Sequence, residues 1–529
     1  MSREAEAAGE ASGAARSLPP DPLPAVALPP VPQLVVMQAA VAAASLVVEI
    51  VAGRLLAPYL GMSLYTWTAV IAVVLAGFSA GHWAGGRLAE KPAARALALT
   101  AWAMVGAGLT TAGAVFLLRW SAGAVIAALD QPLAAITVLT ALIFFLPSFF
   151  AGIPAPVLAK VAVEARPERS GRALGAMFAA GALGAIAGTL LAGFLFISWL
   201  GSSGTLATVT AVYALLALAA YGAARRAGAT ASPLGGGFGA LLALALAGGG
   251  LAQPDPCTRE SDYFCIRVLD ASAEAGETAR LMVLDHLGHG ISVKESPHRM
   301  LTPHASMLDS LARARMADRP FEAFFIGGGS YSIPRAWAND PRTRATSTVA
   351  EIDPRVTEIA VRDFWFDPAT AQVVHDDARR ALLLSPATYD VVIGDAFTDI
   401  AVPAHLVTRE FFQLVEARLN PEGVFLMNVI DFANRLDALA AVVRSLRSVF
   451  PVVEVWAELA PPAADARLVF IVLAGGSASP FERLVSPAPD FLQSGRLSDQ
   501  AVDALVARRN PPLLTDDYAP IDRLLGRLD

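Results

Sequence analysis

Between Gln33 and Ala252 the chain is a succession of apolar runs, and this constrains its fold more than any other feature. A helix crossing the hydrocarbon core of a bilayer needs roughly 20 mostly apolar residues. Runs of that kind lie near 34–55, 66–86, 96–118, 128–150, 173–199, 204–223 and 235–252. They predict about seven helices. Asp130, Pro132 and Pro147 interrupt the fourth, and the seventh is short and Gly-rich, so the count stays open between six and eight. Only 16% of the residues are charged and the mean hydropathy is +0.52. A soluble domain carries about 25% charged residues.

Lys and Arg set the expected orientation, because they concentrate in the short cytoplasmic loops of membrane proteins. Arg87, Lys91 and Arg95 follow the second run. Lys160, Arg166, Arg169 and Arg172 follow the fourth, and Arg225 and Arg226 follow the sixth. The odd loops hold Arg54 and Arg119. The N-terminus and the even loops are thus expected in the cytoplasm. Residues 1–33, rich in Pro, Ser and Gly, are expected to be disordered. They lack the basic start and short apolar core of a secretory signal.

Within the second run, GHWAGGRLAEKPAAR (81–95) loosely resembles the loop signature of major facilitator transporters, as if the region were half of one. A tight turn with positive-inside charges reads equally well. Glu49 is an acid inside the first run, with Arg54 five residues on. Ionisable groups at such depth are candidates for function, and a Glu49–Arg54 pair is the structural alternative. Closely spaced Gly and Ala in ALGAMFAAGALGAIAG (173–188) fit tight helix packing.

From Gln253 the charges return and the apolar runs shorten. A small β region with strands at 264–269 and 280–285, then a helix near 300–315, is expected over 253–318. Beyond it, 321–327, 346–353, 371–377, 389–397, 423–431, 452–459 and 467–475 read as strands. Helices are expected between them at 354–364, 378–384, 407–419 and 432–449. This alternation predicts a doubly wound, Rossmann-like α/β sheet of the seven-stranded methyltransferase type over 319–529. The expected architecture is therefore a multi-pass α-helical membrane domain (34–252) followed by that α/β domain.

Ligands bind such sheets outside the carboxyl ends of the strands. The first strand runs into Gly327-Gly328-Gly329, where glycine permits a sharp turn and close approach. The second runs into Glu351, about 20 residues later, where an acid can hold a ribose diol. The third ends at Asp376-Asp377-Ala378 and the fourth at Asp395. The chain has neither the Lys of a P-loop nor a second glycine pattern for pyrophosphate, so the expected ligand is a nucleoside without phosphates.

GGGSYSIPR (327–335), VAEIDPRV (349–356), HDDARRAL (375–382), YDVVIGDAF (389–397) and VPAHLVTREFF (402–412) together resemble the polyamine aminopropyltransferases, or spermidine synthases. VLDHLGHG (283–290) is similar to that family's LDG-x-x-Q strand, and LLTDDYAPID (513–522) to a hallmark of its membrane-fused branch. The resemblance covers about 258–523. It implies decarboxylated S-adenosylmethionine, or S-adenosylmethionine, as cosubstrate and a small amine as acceptor. By the same resemblance Gly327, Gly328 and Gly329 flank the methionine-derived part. Glu351 takes the ribose, and Asp377 with Ala378 meets the adenine. Asp395 deprotonates the amine. His289 stands where the family has Gln, and Asp285 matches the Asp of the LDG motif. Asp399 and His304 fall on the acceptor side. The segment His304-Ala305-Ser306 departs from the family's pattern there and lacks its acid. Asp516 and Asp517 read as ligands or as caps of a turn.

Other classes remain in competition: a transporter or sensor whose soluble part binds an adenosyl ligand, or a transferase with a different acceptor. A net charge of −7 and a pI near 5.6 argue against a nucleic-acid partner. Two cysteines exclude a multi-Cys zinc site, and no metal is expected. The lipid bilayer is the expected partner, and a homo-oligomer stays open. With seven helices the soluble half lies outside the cell, where Cys257 and Cys265 are free to pair. The implied cosubstrate, a cytoplasmic metabolite, points to the other side.

Overall fold

The computed structural model describes residues 27–129, 131–230, 233–396, 402–460, 466–487 and 489–525. Asp130 and most of the Pro-rich start lie outside them. The apolar half comprises α1 (Val31–Leu60), α2 (Leu64–Ala89), α3 (Ala93–Ala128), α4 (Pro132–Gly152), α5 (Pro154–Ala165), α6 (Ser170–Leu191), α7 (Ile197–Arg226) and α8 (Pro233–Leu251). The apolar runs map onto these helices, except that the fourth (128–150) begins at the very end of α3 and the fifth (173–199) passes from α6 through a π-helical turn, Ala192–Phe196, into α7. Among the described residues, five helical stretches are long and apolar enough to cross a membrane by length and composition. One of these, Pro167–Arg226, is continuous only in name: Gly201 at φ 66° breaks it and divides the fifth run from the sixth. Pro147 does not end α4, as helices of this kind tolerate proline where neighbours satisfy the freed backbone groups.

Small residues bring these helices together. Gly77, Gly81 and Gly85 recur every fourth residue on α2 and lie against α4 and the start of α5. A Cβ at Gly77 would stand 2.7 Å from that of Ser148, and one at Gly81 would overlap the Phe149 carbonyl. Gly184 and Gly188 of α6 meet the Ala39 and Ala43 carbonyls of α1 in the same manner. This is the small-xxx-small packing by which apolar helices gain van der Waals contact. Large apolar side chains such as Phe178, Leu183, Ile186 and Leu215 point outward, and Trp83, Trp120 and Trp199 stand exposed near helix ends.

The helix ends sort into two faces. Arg226 donates to Gln33 (3.3 Å) and Lys160 to the Lys91 carbonyl (3.2 Å), so the basic loops share one face. Arg54, Arg119, Ser202 and Cys257 gather on the other. The second half of the chain is built on that opposite face. Arg54 does not form the expected pair with Glu49. Its guanidinium turns away and donates to the carbonyls of Tyr263 (2.5 Å) and Ser261 (2.6 Å). Arg54 sits near the end of its helix, within reach of backbone acceptors that sequence spacing does not reveal.

A small antiparallel sheet follows, in the order β1 (Arg259–Glu260), β2 (Cys265–Asp270), β3 (Ala279–Leu284), β4 (Leu287–Val293). A short helix α9 (Ser272–Ala275) separates β2 from β3. Cys257 and Cys265 form a disulfide across the first turn. After α10 (Pro303–Met316) come β5 (Phe321–Ile326), α11 (Ser332–Ala338), β6 (Ala345–Ala350), α12 (Pro354–Asp363), β7 (Gln372–Val374), α13 (Ala378–Leu384) and β8 (Tyr389–Gly394). Then follow α14 (Arg409–Arg418), β9 (Leu419–Phe432), α15 (Asp437–Arg447), β10 (Val452–Glu458), β11 (Arg467–Gly475), β12 (Arg483–Val485), β13 (Gln493–Arg496), α16 (Asp499–Arg509) and α17 (Ile521–Leu525).

The large sheet has the order β12-β13-β10-β11-β9-β8-β5-β6-β7. Strands β5 to β9 run parallel, while β11 pairs antiparallel with both β9 and β10. The seven predicted strands are all present, but among the described residues the sheet has nine: β12 and β13 extend its edge beyond β10. These two are short and half polar, so they carry no apolar alternation to betray them. Strand order reverses at β5, between β6 and β8, and the crevice opens there.

Replacing Gly81 by Leu forces a side chain into the Phe149 backbone. We expect a destabilisation of about 1–3 kcal/mol or more from overpacking, measured as a lower thermal midpoint of the detergent-solubilised full chain. Gly86, which has open space around its Cβ position, tolerates Ala without such a loss.

Candidate active site

The turn after β5 is shaped by glycine. Gly327 has φ 91°, and a Cβ there would stand 2.9 Å from the Asp395 carbonyl. A Cβ at Gly328 would press on the Tyr331 ring at 2.5 Å. Tyr331 is itself fully buried, stacked on Phe366 and hydrogen-bonded to Thr357 (2.7 Å). The backbone therefore folds tightly over β5 and turns its amides toward the neighbouring strand.

Those amides meet Glu351. One carboxylate oxygen accepts from the Gly328 N–H (2.8 Å) and the other from the Asp353 N–H (2.9 Å). Burial pushes its pKa up, and the backbone donors partly oppose that. Glu351 is not the cap of the following helix. Asp353 is: it accepts from the Arg355 N–H (2.9 Å), with Pro354 in the first helical position. Its second oxygen accepts from the Ser261 hydroxyl (2.5 Å).

Asp377 caps α13 through the Arg380 N–H (3.0 Å) and meets His405 Nε2 at 2.7 Å. Of the two adjacent acids, Asp377 lines the cavity, whereas Asp376 turns aside to Arg380. Asp395, just past β8, accepts from Asn428 (2.9 Å) and has His304 Nε2 at 3.8 Å. His289 on β4 is half-buried beside it. Burial pushes its pKa down to about 4, against the attraction of Asp395, so the ring is neutral at physiological pH.

These groups enclose one cavity of about 330 Å³. That suits a small ligand. Glu351, Asp377 and Ala378 stand on one side, and Asp395 and His289 on the other, with Gly327, Gly328 and Gly329 also on its wall. Of the residues named from the sequence, Asp285 also lines it, but its carboxylate accepts from the Cys265 N–H (2.9 Å) at a positive φ of 54°, as part of the small sheet. His304 reaches the cavity only through its approach to Asp395. Asp399 lies outside the described residues. Asp516 serves the fold: it holds Arg379 by two 2.7 Å bonds and accepts from Thr408, and the guanidinium pulls its pKa down to about 2.

Sequence reasoning missed three parts of the wall. His405 sits in the VPAHLVTREFF segment without any spacing signal of its own. Tyr263 and Phe264 come from the loop after β1. Met62 comes from the connection between α1 and α2, so the apolar half contributes directly to the cavity.

Residues 326–481, within the second half of the chain, match the family described as "Spermine/spermidine synthase domain". The chain is 32% identical over 152 residues to a polyamine aminopropyltransferase of Vibrio vulnificus, covering 28% of this chain and 50% of that protein. It is 29% identical over 217 residues to an N-terminal histidine N-methyltransferase of Emericella nidulans, covering 35% and 38% respectively. The chain thus spans half the length or less of these two curated relatives. A crystal structure of a probable spermidine synthase from Corynebacterium glutamicum aligns over 49% of this chain and 96% of its own, at 21% identity and a TM-score of 0.42.

His289 gives the site a pH signature. Folded, it resists protonation down to about pH 4, whereas the unfolded chain takes up that proton near 6.5. Between those values the unfolded state holds the extra proton, so stability falls as pH falls. The slope approaches about 1.4 kcal/mol per pH unit for one such group. Thermal midpoints at about pH 7 and about pH 5 should therefore diverge more in the parent than in His289→Gln. Equal slopes contradict the neutral histidine.

Proposed function

We propose that the chain is a membrane-anchored aminopropyltransferase, which moves an aminopropyl group from decarboxylated S-adenosylmethionine to a small amine. The observation that carries this reading is the division of one cavity into two ends. Glu351 and Asp377 follow β6 and β7, Asp395 follows β8 beside a neutral histidine, and the glycine turn after β5 lies between them. The first end suits the hydroxyls and amino edge of a nucleoside; the second suits an amine that must lose a proton. The synthase domain over 326–481 supports the same chemistry.

The reaction is a single displacement. The amine nitrogen forms a bond to the aminopropyl carbon as the carbon–sulfur bond breaks. The electron pair leaves on sulfur, converting a sulfonium into the neutral thioether methylthioadenosine. The amine proton passes to Asp395, whose carboxylate Asn428 holds in place. The sulfonium is already activated, so the protein's work is positioning and proton acceptance.

The likeness to an N-methyltransferase favours a second reading of the same site, with S-adenosylmethionine as donor and a methyl group transferred. Product analysis separates the two, since the aminopropyl reaction releases methylthioadenosine and the methyl reaction S-adenosylhomocysteine.

We also infer that the helices span the cell membrane and that the synthase domain faces away from the cytoplasm, which requires its cosubstrate to reach it across the membrane. In support, the domain rests on the helix face opposite the basic loops, and Cys257 is joined to Cys265. Protease added to intact cells should then cleave the synthase domain. Complete protection until the cells are opened contradicts the placement.

General-base participation typically contributes about 10²–10⁴-fold. Turnover of Asp395→Asn with the best amine should fall by that factor, and the deficit should ease at high pH, where more of the amine is already neutral. Full turnover in Asp395→Asn contradicts the assignment.

A further inference from the structure

The loop Glu260-Ser261-Asp262-Tyr263-Phe264 lies between the large cavity and the helix ends. Its inner side supplies Tyr263 and Phe264 to the cavity wall. Its outer side is held, residue by residue, by helices. Glu260 accepts from the Ser202 N–H (2.8 Å) and from the Ser202 hydroxyl, beside the helix break at Gly201. Asp262 accepts from the Ser198 hydroxyl (2.5 Å). Arg54, at the end of α1, donates to the carbonyls of Ser261 and Tyr263 and lies 3.9 Å from the Glu260 carboxylate. The disulfide closes the same loop at its base.

The contacts continue inward. The Ser261 hydroxyl accepts from the N–H groups of Tyr263 (3.1 Å) and Phe264 (2.9 Å) and donates to Asp353. The Asp353 N–H binds Glu351, whose other oxygen binds the glycine turn. A chain of hydrogen bonds, joined through the residues Ser261 and Asp353, thus runs from Arg54 to the Glu351 carboxylate on the cavity wall. The Arg54 side chain is only 9% exposed. A buried guanidinium deprived of acceptors is costly, so the loop and the end of α1 are bound to move together.

We infer that Arg54 is a positioning residue for the nucleoside end of the cavity: through Ser261 it sets the Asp353–Glu351 turn, so the helix bundle and the pocket respond to one another. The ligand part of this inference rests on the function proposed above; the mechanical part does not.

The test uses the full chain in detergent, as parent, Arg54→Lys and Arg54→Ala. Hydrogen–deuterium exchange is followed in peptides covering 259–265, 327–330 and 351–354, with α16 as internal reference. Methylthioadenosine affinity is measured on the same samples. Arg54→Ala should speed exchange in all three peptides while α16 keeps its protection, and should weaken the nucleoside by about 5- to 150-fold, the usual range of coupling between sites. Arg54→Lys keeps the charge but loses the two-pronged donor, and should fall between. Unchanged exchange at 327–330 and 351–354 in Arg54→Ala overturns the inference, even where the parent binds methylthioadenosine well. Faster exchange in a parent–variant pair that binds no adenosyl compound supports the coupling and refutes the nucleoside reading instead. Should Arg54→Ala fail to fold, Arg54→Lys carries the same comparison.

Discussion

The site depends on one buried carboxylate. Glu351 lies at the crest of the sheet, shielded from water, with each oxygen bound to a backbone N–H. A charge taken out of water is costly unless it is paired or hydrogen-bonded. Here its donors come from two different loops, the glycine turn after β5 and the cap of α12. Holding Glu351 therefore holds both loops, and with them the reversal of strand order at which the cavity opens. The glycines follow from this requirement, since a side chain at Gly327 would displace the Asp395 backbone and part the two ends of the cavity.

Much of this was legible in the sequence, because it is local. The apolar runs, the strand alternation, the glycine triplet and the acids placed at strand ends each signal over a short stretch of chain. Direction and distance were not legible. Nothing in RLVFIVLAG tells whether β11 runs with or against its neighbours, and Gln493–Arg496 has too little apolar character to announce an edge strand. Glu351 and Asp353 are two residues apart and equally acidic, and only the fold decides which caps the helix and which enters the cavity. Arg54 reads as a candidate partner for Glu49 because both lie in one apolar run, although five residues is off the i,i+4 spacing of helix pairs, and its acceptors lie about 200 residues away in sequence. Met62 lies in no motif, and His405, though inside VPAHLVTREFF, has no spacing that marks it out from its neighbours there.

The two halves share this site physically. The helices pack through glycines that admit no side chain, which fixes where their ends emerge. Arg54, Ser198 and Ser202 stand on those ends and grip the loop that walls the cavity. Met62 adds to the wall itself. The apolar half thus forms part of the cavity wall, and a fragment without it would present an incomplete cavity.

The central claim is that the cavity holds a nucleoside at its Glu351 end and performs chemistry at its Asp395 end. Titration calorimetry of methylthioadenosine into the detergent-solubilised full chain tests it most directly. The account predicts saturable one-site binding that Glu351→Gln weakens severely and Asp395→Asn leaves nearly unchanged. Absence of binding in the parent, or equal losses in the two variants, contradicts it.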